Sequence, residues 1–263
     1  MTVEQTARRP LLALIGIGII AGYLSGLFGV GGGVVVVPLL MLLGVDQRLA
    51  AGTSTTAILP TAIVGAISYG VTGHVDWIAA ALIAIGVVVG AQIGTWLLAR
   101  LPRDILFWSF LAFLVVVGVS LWLVVPQRDA VIGIDVLTGV LLVAVGVLTG
   151  VLSGLMGVGG GIILVPILMF FFGASDLVAK GTSLAMMVPG SISGTVGNLR
   201  RGNVDLRMAA AIGIAACIVS PLGTLTAQAI TPFASNVAFS LLLAFAAWQL
   251  VQKHLKARRA AGA

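Results

Sequence analysis

Charge is scarce in this chain. Only 8% of its 263 residues are charged, against 60% that are apolar. A soluble domain of ordinary composition carries about a quarter charged residues, so an ordinary soluble enzyme is excluded. The carboxylates are Glu4, Asp46, Asp76, Asp104, Asp129, Asp135, Asp176 and Asp205. Each stands at the edge of an apolar stretch. Proton-driven transporters often carry a carboxylate deep in a span, so proton coupling through a buried Asp or Glu is not expected. A single cysteine, Cys217, excludes an internal disulfide and a zinc cluster. Inside an apolar run it reads as a small packing residue. His74 and His254 are isolated, so no metal site and no cofactor are expected. No Walker loop is present, and the polar ends are too short for a sizeable soluble domain, which excludes direct ATP drive. The formal charge of +6 would suit a nucleic acid. The basic residues, however, sit between apolar runs and at the two ends, which is a membrane-protein distribution rather than a basic face.

What is abundant is long apolar runs, and a spanning helix needs about 20 such residues. Segments 49–72, 77–99, 105–125, 181–199, 208–229 and 234–252 meet that length. Two longer blocks, 11–45 and 136–175, are each interrupted by a glycine cluster. The clusters are Gly29-Val30-Gly31-Gly32-Gly33 and Gly157-Val158-Gly159-Gly160-Gly161. Arg8 and Arg9 before Leu11 look like the start of a signal peptide. The same kind of run recurs at 136–156, in mid-chain, so the first one belongs to the fold.

The clusters reveal an internal repeat with an offset of about 128 residues. Ser25-Gly26-Leu27-Phe28-Gly29 reads against Ser153-Gly154-Leu155-Met156-Gly157, and Pro38 falls against Pro166. With one residue inserted, Gly52-Thr53-Ser54 matches Gly181-Thr182-Ser183 and Pro60 matches Pro189. Gly65 then falls against Gly194, and Gly73-x-Val75-Asp76 against Gly202-x-Val204-Asp205. Basic residues orient the halves. Arg8 and Arg9, Arg100 and Arg103, Arg200, Arg201 and Arg207, and the C-terminal Lys253, Lys256, Arg258 and Arg259 mark the inside. The loops 73–76, 126–135 and 230–235 lack a basic excess and read as outside. Both termini are then cytoplasmic, and block 11–45 starts inside whereas block 136–175 starts outside. The expected fold is an all-α polytopic membrane protein of two inverted-topology repeats, 1–128 and 129–263. Each is a glycine-tipped broken-helix hairpin plus three transmembrane helices. Inverted repeats with broken helices are a recurrent secondary-transporter plan. Segment 33–43 is about 16 Å long as a helix, which favours a re-entrant arm over a second crossing.

The doubled Ser-Gly-Leu-x-Gly-Val-Gly-Gly-Gly with its following Val-Pro, the doubled Gly-Thr-Ser and the doubled Gly-x-Val-Asp resemble the TauE/SafE family of membrane anion exporters. The resemblance covers about residues 11 to 250. It implies export of sulfite, or of a small organosulfonate such as sulfoacetate, across a bacterial cytoplasmic membrane.

The residues make a separate case for an anion. Irregular backbone at membrane depth is tolerated only where protein or water covers it. Gly29, Gly31, Gly32 and Gly33, and Gly157, Gly159, Gly160 and Gly161, leave N–H groups able to face a cavity. Glycine reaches φ > 0, where successive N–H groups form an anion-binding nest, and the arms beginning there add a positive helix end. Close helix packing is the other reading of these glycines. Thr53, Ser54, Thr182 and Ser183 offer uncharged hydroxyl donors, or else cap and back-bond their helices. Asn198 and Tyr69 occupy matching places and are candidate donors. Gln92 lies well inside 77–99, where an unpaired amide is costly. Asp76 and Asp205 each precede a helix and read as N-caps. Lys180 reads as a solvated loop lysine. Gly22-xxx-Gly26 and Gly150-xxx-Gly154 pack helices either within one chain or between the chains of a homodimer. The expected partners are a small anion and the lipid bilayer, not nucleic acid. A channel, a carrier of another anion and a non-transporting assembly factor are the alternatives. An intramembrane enzyme would need a nucleophile with a base or metal at the same depth, and no such set is found.

Overall fold

The computed structural model describes residues 11–98, 132–133, 135–156 and 158–261, together with positions 108, 111, 115, 119 and 122. Every element among them is helical. In chain order they are α1 (Leu11–Phe28), α2 (Gly33–Leu42), α3 (Gln47–Val71), α4 (Trp77–Leu98), α5 (Val136–Met156), α6 (Gly161–Phe171), α7 (Asp176–Arg200), α8 (Leu206–Ala229) and α9 (Pro232–Ala261). The predicted span 105–125 lies outside the described residues apart from the five isolated helical positions.

The breaks fall where the glycine clusters stand. Gly29, Gly31 and Gly32 have φ of 69°, 73° and 72°, and Gly159 and Gly160 have 85° and 83°. A side chain there would press Cβ against the backbone, so only glycine ends α1 and restarts the chain as α2 within four residues. The arms α2 and α6 are 10 and 11 residues long. At 1.5 Å per residue each reaches about 15–17 Å, roughly half the apolar thickness of a bilayer.

Five helices are both long and apolar enough to cross a membrane among the described residues: Leu11–Phe28, Arg48–Val71, Trp77–Gly94, Val136–Gly154 and Leu206–Ala229. Their outward faces are apolar as well. Leu12, Val71 and Val136 are 83%, 83% and 87% exposed, and all five tryptophans (Trp77, Trp96, Trp108, Trp122, Trp248) are at least half exposed. In water so broad an apolar surface would aggregate; in a bilayer it is solvated, with tryptophans suited to the interfaces. The chain is a multi-pass membrane protein.

Helix pairs close through small residues. Along α1, the positions Gly18, Gly22 and Gly26 lie on the α8 backbone at Ile212, Ala216 and Ser220. Along α4, the positions Gly86, Gly90 and Gly94 lie on the α5 backbone at Val143, Val147 and Val151. Contact this close maximises dispersion where no hydrophobic effect drives association. Gly22 and Gly26, like Gly150 against Val87, therefore pack helices within one chain. The helix α1 is built into the molecule, as expected of a fold element rather than a signal peptide. Between these pairs, α3 packs on α7 and α8, and α7 packs on α3 and α4.

Two boundaries differ from the sequence reading by five residues or more. The helix α7 begins at Asp176, not at 181, because Ser175 caps it by accepting a hydrogen bond from the Val178 N–H. The helix α9 spans 232–261 rather than 234–252, although its apolar stretch is only Pro232–Phe245.

Candidate functional site

The two glycine clusters meet. A Cβ on Gly33 would lie 2.9 Å from Val158 Cα, and one on Gly161 would lie 2.7 Å from Val30 Cα and 2.5 Å from the Gly29 carbonyl oxygen. The loops thus touch backbone to backbone. Ile58 of α3 and Met187 of α7, which match in the repeat, flank the junction. They are 2% and 1% exposed, and both reach Gly31 and Gly159. Gly32 and Gly160 turn the other way, towards Ala21 of α1 and Thr149 of α5. Beside Gly31 lies a small, largely apolar cavity lined by Ala21, Val36, Ala57, Ile58, Thr61 and Ile212.

The backbone donors of both loops are unspent. The Gly29 N–H closes α1 on the Ser25 carbonyl at 2.8 Å, and the next N–H with an acceptor is that of Val35, on the Gly32 carbonyl at 3.0 Å. Between them the N–H groups of Val30, Gly31, Gly32, Gly33 and Val34 have no acceptor among the described residues. The second loop repeats this for Val158, Gly159, Gly160, Gly161 and Ile162, ahead of the Ile163 N–H on the Gly160 carbonyl at 3.1 Å. Buried backbone donors are almost always paired, and the first four of a helix need an external partner. Two such sets, one on each of two loops in contact, make an environment that attracts an anion.

The Gly-Thr-Ser pairs hold the halves together. The Thr53 hydroxyl accepts from the Asp205 N–H at 3.0 Å, and the Thr182 hydroxyl accepts from the Asp76 N–H at 3.0 Å. Gly52 and Gly181 let the same loops approach, with the carbonyls of Asn203 and His74 against them. Asp76 and Asp205 are N-caps, accepting from the N–H groups of Ala79 and Met208. The Ser183 hydroxyl donates to the Gly29 carbonyl at 2.8 Å, tying α7 to the first glycine loop. Ser54 is fully buried, and its hydroxyl has no partner among the described residues. Thr53→Val and Thr182→Val each leave an N–H near the cap without its acceptor. Each is expected to destabilise by about 1–3 kcal/mol, read as a lower thermal midpoint in detergent.

The sequence-predicted residues therefore divide. Gly29, Gly31, Gly33, Gly159, Gly161 and Ser183 come together at the junction, while Gly32 and Gly160 start the arms beside it. Gly157 lies outside the described residues. Thr53 and Thr182 act as reciprocal links. Gln92 is exposed and donates to the Ser193 hydroxyl at 2.8 Å, joining α4 to α7. Asn198 donates to the Gly194 carbonyl of its own helix at 3.0 Å. Tyr69 is fully buried, and its hydroxyl donates to the Gly26 carbonyl at 2.7 Å.

Two corrections concern charge. Lys180 is not a solvated loop residue, and Asp176 is not at an exposed edge. Their side chains are 4% and 1% exposed, and Lys180 Nζ lies 3.3 Å from Asp176 Oδ2. Lys180 Nζ also donates to the Ser235 hydroxyl of α9 at 2.7 Å. The signal that would have found the pair is local: Ser175 as N-cap, Asp176 in the first turn, and a lysine four residues on.

A family model described as "Sulfite exporter TauE/SafE" matches residues 2–123 and 142–262. The chain belongs to the TauE/SafE family. A "Probable membrane transporter protein" of Xylella fastidiosa (strain 9a5c) is 30% identical over 235 residues, covering 86% of this chain and 87% of that one. The "Probable membrane transporter protein YunE" of Bacillus subtilis (strain 168) is 28% identical over 226 residues, covering 76% and 82%. "Sulfite exporter TauE/SafE family protein 1" of Arabidopsis thaliana is 34% identical over 85 residues, covering 32% and 18%. The first two relatives are named as probable membrane transporters, a role without catalysis.

Proposed function

We propose that this protein is a secondary transporter exporting a small sulfur-containing anion, sulfite or an organosulfonate such as sulfoacetate. The carrying observation is the junction of the two glycine loops, each of which carries N–H groups with no acceptor among the described residues. A small oxyanion presents several acceptor oxygens and satisfies such donors without any side-chain charge. The family model's description supports sulfite in particular.

In this reading the two halves are inverted repeats that rock about the junction. Reciprocal contacts support it: each half's threonine holds the N-cap aspartate of the other. Ile58 and Met187 would close the site on either side, and their retreat would open it to each face in turn. Basic residues at both termini favour a cytoplasmic-membrane protein with both ends inside. A channel would use the same donors with no gate, but Ile58 and Met187 are buried against the loops, which favours a gated cycle.

The test is efflux of radiolabelled sulfite from proteoliposomes, with sulfoacetate, sulfate and phosphate as competitors. Saturable sulfite flux inhibited by sulfoacetate is expected. No sulfite flux from correctly inserted protein would overturn the substrate assignment. Flux that never saturates would favour a channel.

A further inference from the structure

Thr53, Ser54, Thr55 and Thr56 follow one another in α3, and all but one have a partner. Thr53 accepts from the Asp205 N–H, and Thr55 and Thr56 donate to the carbonyls of Ala51 and Gly52 in their own helix at 2.9 Å and 3.0 Å. Ser54 is fully buried, and its hydroxyl has no partner among the described residues. A serine inside a helix can donate to the carbonyl four residues back, and Ser54 does not. At the matching place in the repeat, Ser183 is spent on the Gly29 carbonyl. Thr182, like Thr53, holds the N–H of a capping aspartate. Of the two Gly-Thr-Ser segments, only Ser54 keeps a hydroxyl without a partner among the described residues.

The helix face that carries Ser54 is the one that meets the glycine loops. Ala57, Ile58 and Thr61 follow Ser54 at the spacing of a single helix face. All three line the small cavity beside Gly31, and Ile58 also reaches Gly33 and Gly159. The other half agrees. Met187, one turn after Ser183, reaches Gly31 and Gly159, and Ser183 itself bonds to the first loop. Ser25 and Thr149 are likewise buried with unpartnered hydroxyls next to the loops. The Ser25 carbonyl accepts the Gly29 N–H, and Thr149 lies against Gly160. Buried hydroxyls are nearly always hydrogen-bonded, and one that is not calls for an explanation. At this place the explanation is a partner that comes and goes.

We propose that Ser54 is a ligand of the transported anion, its hydroxyl donating to an anion oxygen beside the N–H groups of the glycine loops. This rests on the anion-binding reading of the glycine junction and adds a side-chain donor to it. The ligand class is a small anion with several oxygens on one central atom: sulfite, or the sulfonate end of an organosulfonate. A hydroxyl bonded to such an anion makes a charge-assisted bond, about twice as strong as one between neutral groups. The hydroxyl carries no charge of its own, so the anion leaves without breaking an ion pair. The serines that match in the repeat thus have different duties. Ser183 holds the first glycine loop through its Gly29 carbonyl, and Ser54 binds the cargo.

The test titrates the purified full chain with sulfite, sulfate, methanesulfonate, sulfoacetate and phosphate, reading Kd from the rise in thermal midpoint. Ser54→Ala is expected to raise the Kd for sulfite about tenfold to a hundredfold, the worth of one hydrogen bond to a charged group. Its midpoint without ligand is expected to equal or exceed that of wild type, because no bond within the protein is lost. Ser54→Cys keeps the side-chain volume with only a weak donor, and the same loss of affinity is expected. Ser183→Ala is the contrast: it loses the bond to Gly29, and its midpoint without ligand should fall. Wild-type affinity in Ser54→Ala or in Ser54→Cys would overturn the proposal, whatever the midpoint. If sulfite does not bind but another of these anions does, and Ser54→Ala weakens it, the ligand role stands and the sulfite assignment falls. If wild type binds none of them, both fall.

Discussion

Gly159→Val is expected to reduce sulfite flux to background while the protein still inserts and folds. Gly159 has φ of 85°, and a β-branched residue held there costs about 1–2 kcal/mol or more. The atoms its Cβ would meet are Ile58 Cδ1 at 3.2 Å and Met187 Cε at 3.3 Å. Both are the far ends of flexible side chains, so they can yield and the fold survives. What does not survive is the aim of the neighbouring N–H groups, which depends on the left-handed backbone. Gly31→Val acts in the same way at the matching place, where Met187 Sδ is the nearest atom at 2.8 Å. Gly161→Val is the contrasting case, because its Cβ meets the Gly29 carbonyl oxygen at 2.5 Å. Backbone cannot yield as a side chain does, so folding itself should fail. Flux, gel-filtration profile and thermal midpoint, measured on all three variants, separate lost binding from lost fold. Wild-type flux from Gly159→Val would contradict the role given to the glycine loops.

Lys180→Met is expected to produce the largest loss of stability of any single charge removal among the described residues. It leaves the Asp176 carboxylate 1% exposed with no cation beside it. Breaking a buried pair from one side costs about 3–5 kcal/mol, a large share of the roughly 5–15 kcal/mol that holds a typical domain folded. The yield of folded protein extracted from membranes should collapse. Adding Asp176→Asn to the same chain removes the stranded charge and should restore most of that yield. Full stability of Lys180→Met alone would mean that water reaches Asp176.

Much of the architecture was legible in the sequence because it rests on residues with narrow physical uses. Glycine runs inside apolar blocks break helices, and they do so at Gly29–Gly32 and Gly159–Gly160 as read. Asp76 and Asp205 precede their helices and cap them. The glycine loops were legible as donors, but their mutual contact was not, because it arises from how α3 and α7 cross. The Thr53 and Thr182 links were equally hidden, since each joins residues more than a hundred positions apart. Asp176 and Lys180 were misread because a charge beside an apolar run looks like a span edge. The packing of α3 and α9 on the first turn of α7 turns that edge into interior. Tyr69 and Ser235 supply that cover, and no local pattern announces them.

The most direct test of the anion site observes the donors themselves. Protein labelled with ¹⁵N-glycine, reconstituted in lipid nanodiscs, is titrated with sulfite while its amide resonances are followed. Signals of Gly31, Gly33, Gly159 and Gly161, assigned by their loss in single alanine variants, should move saturably and together. Sulfite binding or flux that saturates while these amides stay in place would contradict an anion site built from the two glycine loops.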